Sequence, residues 1–206
     1  NGGSWLMGDS KPTVAGMPGT ISSSLTWETV QSLNIGFDLG MLRNRLNINF
    51  DYFIRKTLDM VGPASEVASI YGIGMPASNN TDLRTKGWEI AASWRDKIGQ
   101  INYNIGFNMA DSRSFVDKHP NESKSLSTYY KDQELGAIWG YVTHGIAKSQ
   151  SEMDEWIKDN NPSWGSGWGE GDIMFKDLNG DKVINEGANT VDDPGDRKII
   201  GNSTPR

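Results

Sequence analysis

The chain has 206 residues, 26 acidic against 20 basic side chains, a formal charge of −6 and 36% hydrophobic content. The absence of cysteine excludes a disulfide framework and a cysteine metal site, and no basic stripe with interleaved aromatics is present, which argues against nucleic-acid binding. Apolar runs extend over only a few residues, so no transmembrane helix is expected, but a barrel strand needs only about 9–11 residues and escapes a hydropathy scan.

A count of 24 glycines and 8 tryptophans with a mean hydropathy of −0.55 fits a loop-rich β protein. Residues 1–20 show no basic start followed by an apolar run, so no signal peptide is expected there. The chain is expected to be an internal piece of a larger protein.

A first strand is predicted near 28–38, where Leu33, Ile35 and Phe37 alternate with Ser32, Asn34, Gly36 and Asp38. A short turn follows at Leu39 to Asn44. The second strand, near 45–56, sets Leu46, Ile48, Phe50, Tyr52 and Ile54 against Arg45, Asn47, Asn49, Asp51, Phe53 and Arg55, because successive strand side chains point to opposite faces. Phe53 is the single apolar residue on that second face. A long connection from Thr57 to Lys86 leads to a third strand near 85–96, with Trp88, Ile90, Ala92 and Trp94 against Glu89, Ala91, Ser93 and Arg95. A short turn over Asp96 to Gln100, centred on Ile98 and Gly99, leads to the fourth, near 101–112. There Ile101, Tyr103, Ile105, Phe107 and Met109 oppose Asn102, Asn104, Gly106 and Asn108.

Both short turns lie at one end of this sheet and the long connections at the other. That is the layout of an outer-membrane barrel. The fold class expected is all-β, a segment of a large antiparallel transmembrane β-barrel with short periplasmic turns and long extracellular loops. The alternative is a soluble or surface-exposed β-sandwich that binds glycans without moving them, in which the apolar face meets a second sheet instead of lipid.

The region 114–200 reads as one long extracellular loop. Within it, Ser151 to Asp159 is predicted to be a short helix capped by Ser149 or Ser151, with Met153, Trp156 and Ile157 on one apolar face that packs onto the loop or meets a partner. The tract from Asn161 to Gly169 carries Trp164 and Trp168 among glycines. Exposed aromatic planes of this kind stack on sugar rings, and the same residues also serve as packed anchors of a loop. Tyr129, Tyr130, Trp139 and Tyr141 carry the same two readings.

Further on, Asp177, Asn179 and Asp181 occupy positions 1, 3 and 5 of a calcium-loop pattern, with the Val183 carbonyl at 7 and Asn185 at 9. The match is incomplete. Lys182 replaces the usual turn glycine and Ala188 the bidentate glutamate, leaving Asp192, Asp193 or Asp196 to supply oxygens. The other reading is a loop folded through its own Asx side chains.

No catalytic set emerges. Asp51, Glu89 and Glu170 are carboxylates, but nothing selects the facing pair that glycoside hydrolysis needs. His119 and His144 stand apart in sequence, and neither a G-x-S-x-G elbow nor a phosphate loop occurs. The chain is not expected to be an enzyme.

Several runs taken in order carry a family resemblance: SLTWET at 24–29, NIGFD at 34–38, NRL at 44–46, FDYFIRKT at 50–57, NNTDLRTKGWE at 79–89, GDIMFKDLNGD at 171–181 and IIGNSTP at 199–205. Together they resemble the C-terminal barrel region of SusC/RagA-type TonB-dependent transporters, over nearly the whole chain. The resemblance implies location in the outer membrane of a Gram-negative, Bacteroidetes-like bacterium. It further implies pairing with a SusD-like surface lipoprotein, and TonB-driven import of glycans or peptides. The family's plug domain, TonB-contacting segment and closing strand are not found in these residues. Under this reading Trp88 and Trp94, ~20 Å apart along one strand face, suit the two aromatic girdles of a membrane barrel, while Asp51, Arg55, Glu89 and Arg95 face the lumen.

Overall fold

The computed structural model of the chain describes residues 25–62 and 76–204. The signal-peptide expectation for 1–20, the ends of two family-like runs at Ser24 and Pro205, and the middle of the first long connection lie outside these residues. Four long strands dominate: β1 (Thr29–Met41), β2 (Leu46–Gly62), β3 (Ser78–Ile98) and β4 (Ile101–Lys118). They form one antiparallel sheet in the order β1-β2-β3-β4, each hairpin partner lying next to its neighbour in sequence. Beyond them follow β5 (Ala137–Tyr141), β6 (Thr143–Ile146), α1 (Gln150–Asp159), β7 (Asn161–Pro162), β8 (Ile173–Phe175), β9 (Val183–Ile184) and β10 (Arg197–Asn202).

The strands run further than the alternation predicts, and always at the same end. Register is continuous from Met41 paired with Leu46 up to Thr29 paired with Leu58, and β3 pairs with β2 as far as Gly62 with Ser78. The connection expected over Thr57 to Lys86 is therefore ladder at both its ends. The reason is chemical: in Asn79, Asn80, Thr81 and Asp82 both faces are polar, so no apolar period marks a strand that the backbone still forms. Bulges between Thr57 and Val61 and a positive φ of 57° at Asp59 interrupt the ladder, and the Asp82 carboxylate accepts from the Asp59 N–H at 2.8 Å.

At the other end the turns are tight. Leu42, Arg43 and Asn44 all take positive φ, and Arg45 N–H donates to the Leu42 carbonyl at 3.3 Å. The second turn centres on Gly99 and Gln100, one residue later than expected, with Ile98 paired to Ile101. Gly99 (φ 63°) supplies the positive φ that the first position of such a two-residue hairpin requires.

The region 114–200 is not a single open loop. Its first residues complete β4, and the segment that follows folds back along the outer edge of that strand. Asp132 N–H donates to the Val116 carbonyl, Val116 N–H to that of Gln133 and Leu135 N–H to that of Ser114, at 2.7–2.9 Å. Arg84 fastens the junction, 3.1 Å from Asp117 and 5.8 Å above the Phe115 ring. Further out, Ala147, Met153, Trp156, Met174 and Ile184 form a buried cluster beneath α1. The Ser149 side chain caps this helix by accepting from the Glu152 N–H.

Candidate functional site

The register turns the four alternations into one surface. On the apolar face the rows read Leu33–Ile54–Lys86–Arg113, Ile35–Tyr52–Trp88–Asp111, Phe37–Phe50–Ile90–Met109, Leu39–Ile48–Ala92–Phe107 and Met41–Leu46–Trp94–Ile105. The boundary between apolar and charged residues crosses these rows diagonally. The unbroken apolar run ends outward at Leu33 and Ile54 on β1 and β2, one row lower at Trp88 on β3, and a further row lower at Met109 on β4, with Leu58 and Phe115 standing singly further out. Two rows, about 14 Å of strand, are lost over three strand spacings, also about 14 Å, a slope near the tilt of barrel strands. At the turn end the band descends on β4 through Tyr103 to Ile101, while β3 meets its first charge at Asp96. A diagonal band on the sheet is a level band when the strands are tilted.

Trp88 and Tyr52 mark the outer margin of this band. At the inner margin the Trp94 indole N–H donates to the Tyr103 hydroxyl at 3.3 Å. Among the described residues no second layer covers the band, since Ile35, Ile101 and Ile105 are 62%, 70% and 63% exposed. The sandwich alternative requires a sheet on this face, and the described residues place none there.

The opposite face carries Asp38, Asn49, Asp51, Glu89 and Asn108 at mid-height and Arg45, Arg95 and Lys97 near the turns. Asp51 pairs with Glu89 across β2 and β3, and its carboxylate lies over Gly36 of β1, where a Cβ would collide with it. Phe53, the apolar exception, lies in the same way across Gly87. The glycine leaves the ring a bed against the backbone, so one aromatic sits on a wet face without a pocket of its own. Thr204 reaches a hollow bounded by Phe53, Glu89 and Ser112, bringing the end of the described chain back beside the open edge of β4.

The loop aromatics divide. Tyr129 is half-exposed and meets His119 edge-on at 5.7 Å. Burial holds the His119 imidazole below its ordinary pKa, while its nitrogens face the Thr81 and Thr128 hydroxyls at 3.0 and 3.3 Å. Tyr130 offers no face to a ligand. It is buried, and its hydroxyl accepts from the Trp139 indole N–H at 3.1 Å, which corrects its assignment as a contact residue. Trp164 stacks 4.7 Å from Tyr141 and 6.0 Å from Phe175, and both it and Trp168 pack against the buried loop cluster. The helix face of Met153 and Trp156 is likewise turned into that cluster, because the loop must cover its own apolar residues before it can present any.

The Asp177 to Asn185 segment is a run of Asx turns. Asp177 accepts from the N–H groups of Gly180 and Lys182 at 2.6 and 2.8 Å, Asn179 from Asp181, Asp181 from Val183, and Asn185 from Gly187. The Val183 carbonyl accepts from the Asn185 side-chain amide. Burial pushes the Asp177 carboxyl up, but the N–H donors outweigh it and hold the group below its ordinary value.

Of the three acids that sequence offered as a further ligand, Asp196 is the one brought in. It is fully buried, accepts from Leu178 and Asn185 N–H at 2.7 and 2.9 Å, and its carboxylate lies within 4.8 Å of those of Asp177 and Asp181. Asp192 instead pairs with Lys124, and Asp193 turns back to Ala188. Lys182 points away to Asp159 at 2.8 Å, so among the described residues no cationic side chain pairs with the three converging carboxylates.

Residues 3–195 match the family described as TonB dependent receptor-like, beta-barrel. The chain is 24% identical over 214 residues to TonB-dependent receptor P3 of Formosa agariphila, covering 97% of this chain and 20% of that protein. It is 23% identical to TonB-dependent receptor P39 of the same organism, covering 88% and 20%. Its fold is similar to the RagAB peptide importer in the closed-closed state, with a TM-score of 0.55, 16% identity, and coverage of 85% of this chain and 19% of that one. In the open-open state the TM-score is also 0.55, with 18% identity and coverage of 72% and 16%. The chain thus spans about one fifth of the length of the curated relatives it matches.

Proposed function

The chain belongs to the TonB-dependent receptor β-barrel family, outer-membrane proteins of Gram-negative bacteria that are transporters and not enzymes. From that premise we propose that the whole protein imports an oligosaccharide or a peptide across the outer membrane. The four-stranded sheet supplies one sector of the barrel wall, with Phe37, Phe50, Ile90 and Met109 at mid-bilayer and Asp51 and Glu89 facing the lumen. Residues 119–204 stand at the extracellular mouth, where a SusD-like lipoprotein closes over them. Energy enters from TonB through a plug that these residues do not include.

The diagonal apolar band is the observation that supports this reading best, because only tilted strands in a bilayer need one. The likeness to a peptide importer is the reason to include peptides beside glycans. Uptake of labelled peptides and of labelled oligosaccharides by cells carrying the full-length protein tests the proposal. Accumulation of one class that stops when the proton gradient is collapsed supports it. Binding of a ligand at the surface with no accumulation of either class contradicts it.

The Asp177–Asp181–Asp196 cluster supports a second assignment, a calcium ion held against the loop. The donors are hard oxygens, as calcium requires, and converging carboxylates without a cation repel one another. Chelation is expected to raise hydrogen exchange across 177–196 while leaving 101–112 unchanged. Equal exchange with calcium and with chelator would show a loop held by its Asx turns alone.

A further inference from the structure

Asn179 is the one asparagine among the described residues that is followed by glycine. In that pair the side-chain amide lies open to attack by the next main-chain nitrogen, because glycine sets no Cβ beside the attacking atom. Residues 179–181 are exposed, and a Cβ built at Gly180 would meet nothing within 4 Å. Water and the reacting groups therefore meet without obstruction.

The loop holds each of the three atoms that such a reaction uses. The Gly180 N–H, the nucleophile, donates to the Asp177 carboxylate at 2.6 Å. Asn179 Oδ1, which gathers negative charge as Cγ is attacked, accepts from the Asp181 N–H at 2.9 Å, and a fixed backbone donor of this kind stabilises a developing oxyanion. Asn179 Nδ2, the leaving nitrogen, donates to the Asp181 carboxylate at 3.0 Å. Gly180 takes φ 81°, which glycine adopts without strain, so the turn persists while these groups are held. Asn185 and Asn189 stand in the same region with their own side-chain hydrogen bonds, but Glu186 and Thr190 follow them.

We propose that Asn179 is a modification site, converted to aspartate and isoaspartate through attack by the Gly180 nitrogen. Gly180 N forms a bond to Asn179 Cγ, and its proton passes along the Asp177 hydrogen bond to solvent. The Cγ–Nδ2 bond then breaks and the nitrogen leaves as ammonia, taking a proton from solvent, which closes a succinimide ring. Water opens that ring at either carbonyl. In sum, an amide and water become a carboxylic acid and ammonia, with no oxidant and no enzyme.

Either product changes the loop. Aspartate adds a carboxylate beside Asp177, Asp181 and Asp196, which raises both their mutual repulsion and their attraction for a cation. Isoaspartate lengthens the main chain between 179 and 180 by a carbon and releases the Asx turns on either side. The proposal rests on these local hydrogen bonds and not on what the protein transports.

The test incubates the full-length protein in detergent micelles, and in parallel a synthetic peptide of residues 171–187, at mildly alkaline pH in heavy-oxygen water with chelator. Both are then digested and mapped by mass spectrometry. Asn179 of the folded protein is expected to take up label about ten-fold faster than Asn185 or Asn189, a barrier lower by about 1.4 kcal/mol. Gly180→Ala is expected to slow labelling about ten-fold in protein and peptide alike. The peptide imposes no φ at this residue, so its response separates the added Cβ from strain in the loop. Labelling of the peptide but not of the folded protein overturns the proposal, since the Asx turns would then shield the amide. Equal labelling at Asn185 or Asn189, or an unchanged rate in both Gly180→Ala samples, overturns it as well.

Discussion

Replacing Ile90 with arginine is expected to destabilise the folded barrel by about 2–4 kcal/mol, whereas Asn108→Arg, one strand away on the opposite face, is expected to be nearly neutral. Ile90 lies between Phe50 and Met109 in the central row of the apolar band, two residues from Trp88 and four from Trp94. On the barrel reading this row lies in hydrocarbon, about 7 Å of strand from the Trp88 margin and about 14 Å from Trp94, so a guanidinium there is either desolvated or drawn out toward the nearer margin at a cost. Asn108 pairs with Ala91 on the face that carries Asp51 and Glu89, where a guanidinium remains solvated. The measurement is reversible unfolding of the full-length protein in lipid vesicles by denaturant. Equal costs at the two positions would mean that the band does not face lipid.

The second large effect belongs to the loop. Met153→Ala is expected to remove about 2–5 kcal/mol of local stability, the range for emptying a buried methionine site. Met153 is fully buried and belongs to a cluster of five buried residues, so among the described residues no larger core surrounds the cavity. The loss should stay local, because α1 packs against the buried loop cluster and β7. Hydrogen exchange of the full-length protein should therefore quicken across 147–184 and hold steady across 101–112. A uniform rise in both regions would show that loop and wall unfold as one unit.

How far these elements were legible depended on what surrounds them in the folded protein. From Leu46 to Ile54 and from Ile101 to Met109 each residue meets either an apolar or an aqueous medium in strict turn, and the sequence records that alternation directly. Above Lys56 and below Lys86 both faces are wet, so the strand persists in backbone hydrogen bonds while its period vanishes. The missing signal there is the opposite of noise: Asp82 and Asn79 are chosen to satisfy a bulge at Asp59, not to face a solvent.

In the loop, composition pointed to aromatic display, but Tyr130, Trp139 and Trp164 are used on one another and on the loop core. Exposure depends on long-range packing that local sequence does not encode. Spacing did place Asp177, Asn179 and Asp181 in one turn. The arrival of Asp196 from a distance, in preference to Asp192 or Asp193, follows from the course of the chain between Glu186 and Arg197, where Arg197 is tied to the Glu186 carbonyl and the Asn189 side chain.

Accessibility along β4 distinguishes a lipid-facing apolar band from a solvated one. This segment contains no cysteine, so single cysteines can be placed at each position from Ile101 to Ala110 in a full-length protein freed of any others and labelled with a fluorophore. A lipid-bound quencher should dim the odd positions Ile101, Tyr103, Ile105, Phe107 and Met109, and an aqueous quencher the even ones, with the pattern ending at Asp111. Quenching of both sets by the aqueous agent alone would contradict a bilayer-facing wall.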